Sequence, residues 1–201
     1  ELKDGYFFLT GMLDDNTAEL ILTADGKIKN FIFIEELVNS APTINGWKFT
    51  AHKAALKIED VNIEMAGYKF NQDTFTFYPN ENSRYPDEIE ITVIHNDLND
   101  YNRDTIANGT YIFLDNFLGE LNFATTIGHL NIDGRNNNRK ELIPISKLKD
   151  FLTWRENEFI EKYEGTRHTT ENDRYAAFES SLENGNPWIA KGLPTNRRGE
   201  V

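Results

Sequence analysis

Apolar and polar positions alternate along much of the chain, and the period of the alternation changes from segment to segment. Tyr6–Leu9 and Glu19–Thr23 are short β-rich runs separated by Asp14-Asp15-Asn16-Thr17, a spacing that predicts an antiparallel hairpin with a polar turn. Asp25-Gly26 closes the second strand. Phe31, Ile34, Leu37 and Val38 then recur at helical spacing, so residues 28–40 are predicted as a helix with those four side chains on its apolar face. Pro42 stops it, because the residue before a proline avoids the α region. Asn45-Gly46 turns the chain into Trp47-Phe49-Ala51, and Val61-Ile63-Met65, Phe75-Phe77 and Ile89-Ile91-Val93 repeat the period-two pattern of strands with one buried and one solvated face. Gly67 and the stretch from Tyr78-Pro79 to Tyr85-Pro86 supply turns.

Helical spacing returns between Asp104 and Leu118, where Ile106, Phe113, Leu114, Phe117 and Leu118 share a face that Gly109 interrupts. Gly119 suits a left-handed helix cap. A strand is predicted over Asn122–Ile132, then an Asn- and Arg-rich loop over 133–140. A third helix, capped by Ser146, runs to about Tyr163 on a stripe of Leu148, Phe151, Leu152, Phe159 and Ile160. The order β-β-α-β-β-β-β-α-β-α lacks the strict alternation of a doubly wound sheet. It predicts an α+β fold: a largely antiparallel sheet with about three helices packed on one face. Residues 1–163 read as one such domain. Residues 164–201 read as a polar C-terminal arm, or the start of a truncated second segment, with Tyr175–Phe178 and Trp188-Ile189 as its apolar anchors.

Composition narrows the function classes. Within 201 residues there is no cysteine, which removes disulfides, thiol nucleophiles and thiolate metal sites together. No run approaches the roughly 18 apolar residues of a membrane span, and a membrane partner is not expected. The net charge of −12 is uneven: residues 1–100 carry 18 acidic against 8 basic side chains, residues 101–201 carry 15 against 13. An acidic first half repels phosphate backbones. The basic clusters, Arg135-Arg139-Lys140 and Arg197-Arg198, lack the interleaved aromatics on which single strands stack. Nucleic acid is therefore not an expected partner, whereas an acidic surface suits a basic or neutral protein. The chain starts at Glu1 with no initiator Met, so the native N-terminus is absent; a cytoplasmic setting is slightly favoured and an exported one stays open.

Four segments stand out together: Glu19-Leu-Ile-Leu-Thr-Ala-Asp-Gly26, Ile34-Glu-Glu-Leu-Val-Asn-Ser-Ala-Pro42, Gly46-Trp-Lys-Phe-Thr-Ala-His-Lys53 and Phe113-Leu-Asp-Asn-Phe-Leu-Gly-Glu120. In these the chain resembles an uncharacterised family of bacterial domains of unknown function, over roughly residues 18–160. The resemblance implies a recurring α+β domain and no assigned activity. It implies structural roles: Asp25-Gly26 turning strand into helix, Ala41-Pro42 ending that helix, Trp47 filling the core beneath it and Gly119 capping the second helix. Glu120 is the exception, since a cap does not require a carboxylate.

Candidate chemistry is sparse. His52, His95, His129 and His168 have no second histidine at zinc-site spacing. The stretch from His95 to Asp104 lacks the glycine and the terminal glutamate of a calcium loop, and reads better as an acidic turn before a helix. Gly-x-Ser-x-Gly and the glycine-rich phosphate loops are missing, and no Glu-x-Lys follows Pro86-Asp87 as a metal-dependent nuclease would need. No metal and no cofactor is expected. The remaining catalytic candidates are His95 and Glu120; the remaining binding candidates are Trp47, His52 and Trp188. The leading expectation is a non-catalytic protein-binding or accessory domain using the acidic first half, with oligomers possible through the arm bearing Trp188. The alternatives are a hydrolase with an unfamiliar His/carboxylate site, and a small-ligand module near Trp47.

Overall fold

The computed structural model describes residues 4–81, 89–134 and 141–163, which fall by packing into two units, 4–54 and 55–163. The Tyr85-Pro86 turn, the Arg135–Lys140 cluster, His168, Trp188 and the whole arm 164–201 lie outside the described residues. The class is α+β: antiparallel pairs dominate, and helices and strands are of comparable extent.

In the first unit, strands β1 (Phe7–Asp14) and β2 (Thr17–Thr23) form the expected antiparallel hairpin. Its turn is held by the Asp14 carboxylate, which accepts the Asn16 N–H at 2.8 Å. Asp25 (φ 51°) and Gly26 (φ 80°) then reverse the chain. A 3-10 turn, Ile28–Asn30, leads into helix α1 (Phe31–Asn39), which ends ahead of Pro42 with the Ser40 hydroxyl bonded back to the Glu36 carbonyl at 2.6 Å. Strand β3 (Trp47–Ala51) pairs with β2 in parallel, giving the order β1-β2-β3. A helical crossover returns the chain to run the same way, as parallel pairing demands. Leu22, Ala24, Phe31, Ile32 and Ile34 are the buried apolar side chains here.

Two features of this unit differ from the sequence reading. The stripe Phe31-Ile34 is buried, but Leu37 is 55% exposed, and so is half of Phe33. At about 100° per residue, positions 33 and 37 lie within about 40° of each other on the side of α1 away from position 31. Trp47, expected in the core, is 45% exposed at the start of the outer strand β3.

In the second unit, β4 (Ile63–Met65) and β5 (Tyr68–Phe70) form a small hairpin around Ala66-Gly67. A four-stranded sheet has the order β8-β7-β6-β9, from β6 (Phe75–Asn80), β7 (Ile89–His95), β8 (Ile127–Gly134) and β9 (Ile143–Pro144). β6 is antiparallel to both of its neighbours, while β8 joins β7 in parallel through the crossover helices α2 (Arg103–Leu118) and α3 (Glu120–Thr126). Alternation in β7 predicts one wet face, yet Thr92 and Ile94 are buried along with Ile89, Ile91 and Val93, as befits a strand flanked on both sides. Helix α4 (Leu148–Tyr163) follows a 3-10 turn and contributes Leu148 and Leu152 to the core. Trp154, on α4, is exposed.

The strand predicted over Asn122–Ile132 is the clearest correction: residues 120–126 are helical and the strand starts at Ile127. The Phe123 N–H bonds to the Gly119 carbonyl, and the side chains of Asn122 and Thr125 bond back to the carbonyls of Leu118 and Leu121. Gly119 separates the two helices with φ 81° and ψ 149°, a conformation essentially restricted to glycine and not the left-handed helical cap that was expected. A Cβ there would also stand 2.8 Å from the backbone nitrogen of Ala55.

Candidate functional site

His95 ends β7 with its ring completely buried. Its Nδ1 lies 3.1 Å from the Asp97 N–H and accepts it, which places the proton on Nε2; that nitrogen donates to the Lys69 carbonyl at 3.0 Å. The rings of Phe70 and Phe75 flank the imidazole at 5.1 and 4.9 Å. The side chain thus ties the end of β7 to β5 and to its own following turn. Glu120 is also fully buried, at the first position of α3, but the His95 ring bonds to backbone groups and not to it. The two catalytic candidates therefore share a unit and form no hydrogen-bonded pair.

The segment after His95 is a web of amide side chains. Asn102 accepts the Asn99 N–H at 2.8 Å and donates to the Asp97 carbonyl at 2.9 Å, and Asn99 accepts the Tyr101 N–H at 2.9 Å. These side chains build the turn into α2, where Asp104 sits in the first turn. Among the described residues, no three His, Asp or Glu side chains gather as a metal site would need.

The binding candidates of the first unit stand at the two ends of β3. Trp47 opens the strand opposite Ala18, which is opposite Met12, so the three form one row across the sheet. His52 follows the strand in left-handed conformation (φ 66°), buried against the Phe31 ring at 4.5 Å, with Nε2 3.2 Å from the Glu35 carboxylate. The two are not neighbours in the strand register, so they do not form one site.

A polar constellation lies on the opposite face of this sheet. The Glu19 carboxylate accepts a hydrogen bond from the Thr50 hydroxyl and pairs with Lys48 Nζ at 3.2 Å. The Thr50 bond, more than Lys48, holds the Glu19 carboxyl below its ordinary value of 4.5. A carboxyl depressed by folding stabilises the fold fully above its unfolded pKa, and that contribution is lost as pH falls through the folded pKa. Thr50→Val should therefore cost about 1 kcal/mol at pH 7 and less at pH 3, measured by urea unfolding at both. An equal cost at the two pH values would contradict this assignment.

Phe33, which the sequence reading did not single out, and Leu37, which it placed on the apolar face of the helix, are both half exposed on α1. Glu36 is exposed beside them, and Glu35 is partly exposed. The signal was present in the sequence: an apolar residue on every side of Phe31-Ile-Phe-Ile34 gives the helix more apolar surface than one core face can take. No family model matches the chain, and no curated protein or solved structure matches it either. The four segments behind the resemblance fall on β2 and its turn, the second half of α1 with its exit, β3 with His52, and the α2–α3 junction. No described helix is long and apolar enough to cross a membrane.

Proposed function

We propose that this chain is a non-catalytic protein-binding domain whose partner docks on α1. The observation that carries the reading is the pair Phe33 and Leu37, one helical turn apart and 51% and 55% exposed, with Glu36 alongside. Side chains at i and i+4 that project together from a helix are the usual anchors for a groove in a partner. Burying each contributes about 1–2 kcal/mol at half exposure. The neighbouring carboxylates, within a first half of net charge −10, favour a partner whose groove is rimmed by basic side chains. The engagement of both His95 ring nitrogens by backbone groups supports this over a hydrolase built on His95 and Glu120.

Tagged intact protein and its Leu37→Asp variant, used to capture partners from lysate at low and high salt, test the reading. The wild type should retain a stoichiometric protein that high salt depletes, and Leu37→Asp should retain roughly tenfold less of it, a loss of about 1.4 kcal/mol. Because Leu37 is exposed, the variant should unfold within about 0.5 kcal/mol of wild type. Equal capture by the variant, or no partner at either salt, would overturn the proposal.

A further inference from the structure

We propose that Asn45 is a site of spontaneous modification: its side-chain amide cyclises onto the Gly46 backbone nitrogen, loses ammonia and is hydrolysed to aspartate and isoaspartate. The inference is independent of the partner on α1. The sequence holds three Asn-Gly pairs, at 45-46, 108-109 and 184-185, of which the first two lie among the described residues. The fold treats those two in opposite ways.

Asn45-Gly46 forms the turn ahead of β3, closed by the Trp47 N–H on the Ile44 carbonyl at 3.1 Å. Asn45 is exposed, and the Gly46 N–H donates to no described residue. The turn requires its glycine, which has φ 78° and the Asn16 carbonyl oxygen 3.4 Å from where a Cβ would stand. The same missing side chain leaves the Gly46 nitrogen open to approach by Asn45 Cγ. Asn108-Gly109 instead lies inside α2. There the Gly109 N–H is committed to the helical ladder, and the Phe70 ring fills the space beside it. Asn108 is exposed as well, so access to the following nitrogen, and not exposure of the amide, separates the two sites.

The reaction needs only water. The Gly46 nitrogen gives up its proton to hydroxide and bonds to Asn45 Cγ. The Cγ–Nδ2 bond breaks, and ammonia leaves with a proton taken from water, closing a cyclic imide. Water then opens the ring with no change of oxidation state. Breaking the bond from Cγ to nitrogen gives aspartate; breaking the bond from the α-carbonyl carbon to nitrogen gives isoaspartate. Either product places a new carboxylate two residues before Trp47. Isoaspartate also routes the main chain through the former side chain, lengthening the turn. That displaces the Gly46 carbonyl, which accepts the Ala18 N–H at 2.8 Å where the pairing of β3 with β2 begins.

The full chain, aged in mildly alkaline buffer and mapped by peptide mass spectrometry, tests this. Asn45 should convert at least about tenfold faster than Asn108, which reacts only when α2 opens locally. In urea, where both pairs belong to an unfolded chain, their rates should agree within about twofold. Isoaspartate should accompany aspartate at position 45. In that isoaspartate fraction the Ala18 amide should exchange hydrogen faster than in Asn45→Asp, which carries the charge on an unaltered main chain. Equal conversion at 45 and 108 in the folded chain, or conversion of Asn45 in urea alone, would overturn the proposal. So would aspartate without isoaspartate, which excludes the cyclic imide, or equal Ala18 exchange in the two proteins, which removes the effect on the sheet.

Discussion

Gly109→Ala is expected to destabilise the second unit by about 3 kcal/mol, although it replaces a poor helix former with the best one. On an open helix face the exchange gains about 1 kcal/mol. At position 109, however, a Cβ would lie 2.1, 2.2 and 2.5 Å from three atoms of the Phe70 ring. Carbon atoms in packed cores rest at about 3.5–4.0 Å, so the ring or the helix must move by more than 1 Å. Phe70 has little room to yield: it is fully buried, with the ring of Phe75 at 6.1 Å and the imidazole of His95 at 5.1 Å. Overpacking of this kind costs about 1–3 kcal/mol and occasionally more, and here it outweighs the propensity gain. Urea unfolding gives the number. A smaller ring-free side chain should restore part of it, so the pair Gly109→Ala with Phe70→Leu should be less destabilised than the sum of the singles by about 1 kcal/mol or more. A Gly109→Ala protein as stable as wild type would show that Phe70 does not rest on the helix.

His95→Ala should cost about 4 kcal/mol. Removing the ring leaves a cavity between Phe70 and Phe75, for which core truncations set a scale of about 2–5 kcal/mol. It also removes the part-buried hydrogen bonds to the Lys69 carbonyl and from the Asp97 N–H, each worth about 1 kcal/mol. His95→Gln retains a donor of similar reach, and should fall between alanine and wild type. Below the variant's melting temperature, capture of the α1 partner should be unchanged, because the role of the ring is to hold β5 and β7 together. A variant as stable as wild type that lost a catalytic activity would reverse this assignment and restore His95 as a reacting group.

Much of the fold was legible in the sequence because period and punctuation agreed. The hairpin around Asp15-Asn16, the helices beginning near Phe31 and Arg103, and the strands at Phe75 and Ile89 all appear where alternation, turn residues and Pro42 place them. Pairing direction was less legible. β2 joins β3, and β7 joins β8, in parallel, and what sets this is the helical crossover between them, a matter of connection rather than of any strand's own pattern. Over residues 122–126, where a strand was expected, helical hydrogen bonds restarted after Gly119 outweigh the β preference of Thr125 and Thr126.

The candidate site was legible only as residue types. His95 was visible as a lone histidine at a strand end, but its partners are backbone groups 26 residues earlier and 2 residues later, which no side-chain motif announces. Leu37 looked like a core residue because it is apolar and close to helical register with Ile34. Its exposure follows from which side of α1 faces the sheet, and the neighbouring apolar residues at 31, 32 and 34 had already filled that side. Gly109 looked like a weakness in α2, and the ring that occupies the missing Cβ comes from residue 70, in a different element.

The central claim is that α1 presents Phe33 and Leu37 to another protein, and site-specific photo-cross-linking in the intact chain tests it most directly. A benzophenone amino acid at position 33 should cross-link one discrete protein in lysate, weakly or not at all in high salt, while the same probe at exposed Ile112 in α2 should not. Cross-linking at 112 and not at 33, or an identical pattern from both positions, would contradict the claim.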